Sequence, residues 1–343
     1  MPKILGTDRV ALFMEGEVGG LHAKMGYGIL RYAEYPIVCA IDSTKVGRDL
    51  TEFESAVPSC QIVASVEEAA QRGANVLILA VAPFGGYLPE DWVYPIQRAI
   101  DLGMNIVNGM HTKLSATFPV KHEGQWIWDI RTEPQGLGPG TGRAMGLSNQ
   151  RVLAVGTDMA VGKMTVALKM HQAAKDRGLR SSFIATGQTG ICIAGRGIPL
   201  DAIRVDYSAG AVEAEVMDHA DAEILWIEGQ GALCHPAASS NLPLMRGSMP
   251  TDLILCHKAG MIQLEQMPDV EVPNLRSLIQ LYEDLATCCG LFPEAKVSFV
   301  ALNTAHLSDE AAVEAMNETA EEAGVPCYDV VRGGATTALE GLV

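Results

Sequence analysis

A glycine-rich stretch followed by a lysine gives the clearest chemical signal in the sequence. It reads VLAVGTDMAVGKMTVALKM and spans residues 152–170. Residues 152–155 are an apolar run typical of a buried strand, residues 156–162 are a turn of mostly small residues, and helical spacing begins at Lys163. In a P-loop, this order directs backbone N–H groups and a helix N-terminus at an anion, and the lysine adds a positive charge. The stretch therefore predicts a phosphate-binding loop, against the simpler alternative of a glycine turn with a solvated lysine.

The loop departs from the common G-x-x-x-x-G-K-[ST] pattern in two ways. Five residues instead of four separate Gly156 from Gly162, and Met164 follows the lysine, so that the first hydroxyl comes at Thr165. A thioether is a poor ligand for Mg²⁺, which prefers oxygen. We therefore predict phosphate binding without a metal. The predicted phosphate-binding residues are Gly156, Thr157, Asp158, Gly162, Lys163, Met164 and Thr165.

A carboxylate at the end of a later strand is the best candidate for catalysis. Residues 223–227 (EILWI) are an apolar strand that ends at Glu228, and residues 181–185 are another that leads into a polar loop at 186–190. Such an acid positions water or Mg²⁺ in P-loop enzymes. Asp206, placed before a predicted helix, is a second catalytic candidate or only a cap for that helix. If Mg²⁺ binds, its predicted ligands are Thr165, Asp206 and Glu228.

The first third of the chain alternates between apolar strands and helices. Strands are predicted at residues 9–14, 36–41, 75–81 and 105–108, and helices at residues 23–31, 66–72 and 88–102. This alternation indicates βαβ units in a parallel sheet. Right-handed crossovers place all the carboxyl ends of such strands at one edge, where ligands bind in open α/β folds.

Several polar residues fall at that edge. His111 follows the fourth strand and is a candidate general base, or a histidine that only closes its loop. Arg48 and Arg131 are candidates for binding a substrate carboxylate. Asp42 follows the second strand, where a ribose-binding acid would lie in a dinucleotide fold, but residues 16–20 are not G-x-G-x-x-G. The predicted substrate-binding residues are Asp42, Ser43, Arg48, Arg131 and Gln188.

Length and charge limit the class of protein. A chain of 343 residues favours two domains, and we predict domains at residues 1–116 and 151–343 joined by a glycine-rich connector at 117–150. With 25 basic and 41 acidic residues the net charge is -16, which argues against nucleic acid or an anionic membrane as partner. The 8 cysteines form no C-x-x-C pair, and no signal peptide or membrane span is evident. We predict a cytoplasmic enzyme acting on a small molecule.

The end of the chain continues the α/β pattern. Strands are predicted at residues 252–257, 296–302 and 325–330, helices at 275–285 and 310–323, and a terminal loop at 332–334. Asn303 ends the second of these strands, and its amide has the paired donor and acceptor that base recognition requires. We predict Asn303 as a residue that recognises a nucleotide base.

The whole chain resembles a family long described as a domain of unknown function. The strings that carry the resemblance are, in order, IDSTKVGRD, VAPFGG, NGMH, GTDMAVGKMT, ATGQTG, DYSAGAVE, IEGQGAL and ALNT. The loop G-T-D-x-x-V-G-K is also similar to that of dethiobiotin synthetase. The family resemblance implies an α/β fold with a Rossmann-like N-terminal domain and a P-loop NTPase-like C-terminal domain.

Some members of that family are D-glutamate N-acetyltransferases that use acetyl-CoA. The resemblance implies that the P-loop holds the phosphates of acetyl-CoA, which needs no hydroxyl directly after the lysine. The amine of an acidic amino acid, most simply D-glutamate, would attack the thioester with Glu228 or His111 as base. Two alternatives stay open: an ATP- and Mg²⁺-dependent ligase resembling dethiobiotin synthetase, and a nucleotide-binding protein without turnover. Relatives of this P-loop class tend to associate, so we expect a homo-oligomer.

Overall fold

The computed structural model describes residues 4–81 and 86–343. The string VAPFGG therefore includes residues 82–85, which lie outside the described residues. The chain forms two compact units: residues 1–134 together with 187–202, and residues 135–186 together with 203–343. Within the described ranges, no helix has both the length and the apolar character needed to cross a bilayer.

The first unit contains a six-stranded sheet in which neighbouring strands are parallel. The strand order is β3-β2-β1-β4-β5-β6. The order reverses at β1, which is the arrangement of a doubly wound, Rossmann-like sheet. The strands are β1 (Val10–Phe13), β2 (Ile37–Ile41), β3 (Ile62–Val63), β4 (Val76–Leu79), β5 (Asn105–Asn108) and β6 (Ile127–Asp129).

The helices of the first unit include one from later in the chain. The first three connect strands of the sheet, whereas the fourth, α5, packs against α1. A buried apolar run explains this packing, because Ile191, Cys192 and Ile193 are 0–5% exposed. The helices are α1 (Lys24–Tyr32), α2 (Val66–Gln71), α3 (Val93–Asp101) and α5 (Gln188–Ala194).

The second unit is built on another six-stranded parallel sheet. The strand order is β14-β13-β10-β7-β9-β8, and a separate antiparallel hairpin pairs β11 with β12. The strands are β7 (Gln150–Gly156), β8 (Ser181–Ile184), β9 (Ile224–Ile227), β10 (Asp252–Lys258), β11 (Gln263–Leu264), β12 (Met267–Glu271), β13 (Lys296–Asn303) and β14 (Cys327–Tyr328). The helices are α4 (Lys163–Asp176), α6 (Val205–Asp218), α7 (Asn241–Ser248), α8 (Leu275–Thr287), α9 (Asp309–Ala323) and α10 (Ala335–Glu340).

The core of the second unit lies between its sheet and α4. Alternate residues of β7, Val152 and Ala154, pack in one cluster with Val166 and Met170 of α4. Trp226 of β9 belongs to the same cluster, and its indole N–H donates to Ser181 Oγ at 3.0 Å. This packing fixes the end of β7 and the beginning of α4, between which the predicted phosphate loop runs.

The structure confirms the α/β class and both predicted sheets, and it corrects several local predictions. Residues 188–190 belong to α5 and not to a polar loop, because the apolar residues that follow them are buried. Asp206, Ser208 and Gly210 lie inside α6 instead of before it. The last strand is limited to residues 327–328, and residues 332–334 form a tight turn that leads into α10, which the sequence did not predict.

A buried carboxylate on α6 binds the segment that precedes β7 in the second unit. The side chain of Glu213 on α6 is 1% exposed and accepts hydrogen bonds from Thr141 Oγ1 at 2.7 Å and from Arg143 Nε at 2.9 Å. The backbone N–H groups of the same two residues also donate to it. Burial by itself would raise the pKa of Glu213, but the four hydrogen bonds outweigh burial and lower the pKa to about 2.

We expect Glu213→Gln to lower the stability of the protein, and to do so most at neutral pH. A carboxylate with a folded pKa of about 2 and an ordinary value of 4.5 stabilises the fold by about 3 kcal/mol above pH 4.5. That contribution is lost as the pH falls from 4.5 towards 2. The difference in the free energy of unfolding between wild type and variant should therefore become smaller over that range. Urea unfolding as a function of pH measures this, with the exposed Glu314→Gln as control. A difference in the free energy of unfolding that stays constant from pH 4.5 to pH 2 would contradict the lowered pKa of Glu213.

Candidate phosphate-binding site

The predicted P-loop connects β7 to α4. β7 ends at Gly156, and α4 begins at Lys163 directly after Gly162, whose φ of 107° favours glycine. A Cβ on Gly156 would lie 2.9 Å from Val161 Cγ2 and 3.2 Å from Lys163 Nζ, so the loop closes tightly over this position. Strand, glycine loop and lysine-headed helix thus have the geometry that the sequence pattern predicts.

Lys163 is buried inside its own loop. Its side chain is folded back, so that Nζ donates to the carbonyl oxygens of Asp158 at 2.7 Å and Met159 at 3.0 Å. The residue is only 4% exposed. Burial lowers the pKa of Lys163, while nearby acidic groups, including the carboxylates of Asp158 and Glu228, act in the opposite direction. A phosphate beside Nζ would stabilise the charged form further.

The side chains of two loop residues each contact a residue outside the loop. Thr157 Oγ1 lies 2.9 Å from Nδ1 of His257, at the end of β10. The carboxylate of Asp158 accepts from its neighbour Met159 N at 2.6 Å and from Glu265 N at 2.8 Å. Burial lowers the pKa of His257, which favours a neutral imidazole beside the loop. These contacts fix the first half of the loop against β10 and the turn between β11 and β12.

Glu228 directly follows β9, which is the strand next to β7. The residue is 3% exposed; its carboxylate accepts from Thr186 N at 2.8 Å, and its carbonyl oxygen accepts from Thr186 Oγ1 at 2.7 Å. A Cβ on the following Gly229 would come within 1.6 Å of Ala154 O and 3.1 Å of Lys163 Cδ. Only glycine allows this close approach, which brings the Glu228–Gly229 peptide against the lysine side chain.

The segment after β9 covers the loop from another side. Cys234 Sγ donates to Thr157 O at 2.9 Å. Tyr282 of α8 bridges the two segments, because its hydroxyl donates to Gly156 O at 2.8 Å and accepts from Leu233 N at 3.1 Å. Sequence reasoning missed these residues, since no local pattern relates position 282 to position 156.

The other candidates in the second unit occupy different positions. Met164 and Thr165 lie in the first turn of α4, as the loop pattern predicts. Asp206 is exposed in the first turn of α6. Asn303 ends β13, and its side-chain oxygen accepts from Ala305 N at 3.1 Å, an interaction that closes its own turn.

A cleft of about 330 Å³ opens beside the phosphate loop. His257, which contacts Thr157 of the loop, forms one of its walls. Asn303 is not among the residues that line it. The lining combines apolar side chains with acidic and amide groups: His257, Met261, Ile262, Gln263, Glu271, Val272, Pro273, Asn274, Leu275 and Glu322.

In the first unit, the structure brings together the predicted substrate-binding residue Arg131 and the candidate base His111. Arg131 Nη1 donates to Nε2 of His111, and Arg131 Nε forms an ion pair with Asp201 at 3.1 Å. Since a guanidinium can only donate, Nε2 of His111 is the acceptor in this contact. Gln188 packs against Gly109 in the same region, since a Cβ on that glycine would lie 3.6 Å from Gln188 Cβ.

The other predicted substrate-binding residues of the first unit form hydrogen bonds or ion pairs within that unit. Asp42 is fully buried and accepts from Val18 N at 3.1 Å and Thr44 N at 2.9 Å. Ser43 N donates to Glu15 at 2.9 Å, and Arg48 forms an ion pair with Glu52 at 2.8 Å. These contacts close the turn after β2, and the substrate-binding roles of these three residues stay predictions.

The fold and the loop define a protein in which a Rossmann-like unit precedes a P-loop unit. Residues 43–133 match the Rossmann-like domain of a family described as a domain of unknown function, DUF1611_N, and residues 138–339 match its P-loop domain, DUF1611_C. The chain belongs to the DUF1611 family.

Relatives of the chain have both a solved structure and assigned names. A crystal structure of a DUF1611 family protein from Anabaena variabilis is 46% identical, covers 98% of this chain and 99% of its own, and superposes with a TM-score of 0.91. A protein of Tritonibacter scottomollicae, named D-glutamate N-acetyltransferase, is 35% identical over 81% of this chain and 84% of its own length. A Pseudoalteromonas protein with the same name is 34% identical over the same shares.

Proposed function

We propose that the protein transfers the acetyl group of acetyl-CoA to the amine of D-glutamate. The observation that carries this proposal is a complete P-loop in which Met164 stands where a magnesium-binding hydroxyl would follow Lys163. Two relatives that each match 81% of the chain carry the name D-glutamate N-acetyltransferase. CoA offers a P-loop a diphosphate that must be bound and not hydrolysed, so the absence of that hydroxyl at 164 is compatible with the reaction.

The reaction requires a neutral amine. The amine nitrogen attacks the thioester carbonyl carbon, a C–N bond forms, and the C–S bond breaks to release the CoA thiolate, which takes up the proton that the amine loses. Glu228 is our first candidate for the base, because its buried carboxylate lies at the strand end beside the P-loop. His111 is the second candidate, although its Nε2 accepts a hydrogen bond from Arg131 and must lose that bond to take a proton.

We assign recognition of the amino-acid carboxylate to Arg131. Its guanidinium forms an ion pair with Asp201 through Nε and donates to His111 through Nη1, which fixes the plane of the group. A guanidinium held in this way is suited to bidentate binding of a carboxylate. Asp42, Ser43, Arg48 and Gln188 remain further candidates for contacts with the substrate.

Replacing the P-loop lysine tests the phosphate assignment. We expect Lys163→Ala to weaken acetyl-CoA binding by about ten- to a hundredfold, because one charge-assisted hydrogen bond to phosphate is lost. Calorimetric titration without Mg²⁺ measures this, and Lys175→Ala, an exposed change near the other end of α4, serves as control. Full affinity in Lys163→Ala would contradict the proposal. Binding of ATP with Mg²⁺ but not of acetyl-CoA would favour a ligase resembling dethiobiotin synthetase.

We assign the adenosine end of CoA to the cleft beside the loop. The cleft begins at His257, which contacts the loop through Thr157, and its apolar residues Met261, Ile262 and Leu275 suit the faces of a purine. The carboxylates and amides in the same wall can accept hydrogen bonds from an exocyclic amine.

A bulky side chain in the cleft should separate base binding from phosphate binding. Ile262 lines the cleft and is 75% exposed, so Ile262→Trp fills space with little effect on folding. We expect it to weaken CoA binding by about tenfold or more while the affinity for inorganic diphosphate stays unchanged. Val205→Trp, at an 83% exposed position of α6 outside the cleft lining, is the matched control. Unchanged CoA affinity in Ile262→Trp would place the adenosine elsewhere.

A further inference from the structure

His235 lies on the segment between β9 and α7 and takes no part in the proposed acetyl transfer. It is 3% exposed. Its Nδ1 accepts a hydrogen bond from Ala237 N at 3.1 Å. Because Nδ1 must offer a lone pair to that N–H group, the proton of the neutral imidazole is on Nε2. His235 is therefore a hydrogen-bond donor at Nε2.

This donor has no hydrogen-bond acceptor among the residues that the structure describes. The carboxylate of Asp158 in the P-loop is 3.9 Å away, which is beyond hydrogen-bond distance, and its two oxygens accept from Met159 N and Glu265 N instead. A buried donor without an acceptor is costly to the fold. Such a cost points to a site at which a bound molecule supplies the acceptor.

The Nε2 donor of His235 lies next to the phosphate loop. The preceding residue, Cys234, donates to Thr157 O at 2.9 Å, so the backbone on the N-terminal side of His235 is held against the loop. Nε2 in turn faces Asp158, whose carbonyl oxygen binds Lys163 Nζ at 2.7 Å. The donor and the lysine therefore both lie close to the same loop residue.

We propose that His235 is a further ligand-binding residue of the P-loop, and that its Nε2–H donates to a phosphate oxygen of the bound ligand. The proposal rests on the proposed function only in requiring a ligand with phosphates. A base role does not fit this geometry, because Nε2 already carries a proton and the lone pair of Nδ1 is bound to Ala237 N–H.

Two substitutions test the Nε2 donor of His235 and the hydrogen bond from Ala237 N to its Nδ1 one at a time. The side-chain oxygen of asparagine can replace Nδ1, so His235→Asn keeps the bond from Ala237 N–H but removes the donor at Nε2. The side-chain nitrogen of glutamine can replace Nε2, so His235→Gln keeps the donor but loses the bond to Ala237. Thermal unfolding of both variants reports separately on the structural contact.

The experiment is calorimetric titration of wild type and both variants with inorganic diphosphate, ADP and CoA. We expect His235→Asn to weaken binding of all three by about ten- to a hundredfold, and His235→Gln to stay within about threefold of wild type. Equal affinities in wild type and His235→Asn would overturn the proposal and leave the acetyltransferase function untouched. Loss of affinity in the glutamine variant alone would assign His235 a purely structural role and also overturn it.

The three probes distinguish failure of this proposal from failure of the proposed function. If wild type binds diphosphate and ADP but not CoA, and His235→Asn weakens both, the His235 proposal stands while the acetyltransferase proposal fails. If only acetyl transfer slows in His235→Asn while the affinity for all three probes is unchanged, the donor acts on the thioester carbonyl and the phosphate assignment is overturned.

Discussion

The burial of the Lys163 ammonium group is the constraint around which the second unit is arranged. A buried cation is costly unless acceptors surround it, and the loop supplies carbonyl oxygens from Asp158 and Met159. Gly229 must be glycine because a Cβ there would lie 1.6 Å from Ala154 O, and a Cβ on Gly156 would crowd Val161 and Lys163 Nζ. A phosphate-bearing ligand would replace these internal acceptors with a charged one, which links the burial of the lysine to its proposed use.

The positions of most strands could be predicted because short apolar runs separated by turns and helices have few other interpretations. β5 has the predicted limits, and the two parallel sheets follow from the βαβ alternation. The errors occurred where tertiary packing decides local structure. α5 begins with Gln188-Thr189-Gly190, which favours a loop, but the burial of the next residues makes it a helix. α10 was missed because so short a helix depends on tertiary packing, here against α4 and the preceding turn.

Some residues of the candidate site could be predicted from local sequence patterns, and others could not. A lysine after a glycine loop and Glu228 after an apolar strand are local signals, and both residues lie where such signals place them. The contacts of Tyr282, His257 and His235 with the P-loop depend on residues far apart in sequence, so a single sequence contains no pattern for them. Of these three residues, His235 has a side chain whose own contacts suggest a role. Its tautomer is fixed by the hydrogen bond from Ala237 N, and its Nε2–H has no acceptor among the described residues.

The measurement that most directly tests the account is a turnover assay with acetyl-CoA and D-glutamate, with neither ATP nor Mg²⁺ present. Release of CoA thiol would be followed together with the mass of the amino-acid product. We predict stoichiometric formation of thiol and N-acetylglutamate, at a higher rate with D-glutamate than with L-glutamate. No thiol release with either enantiomer, or turnover that appears only when ATP and Mg²⁺ are added, would contradict it.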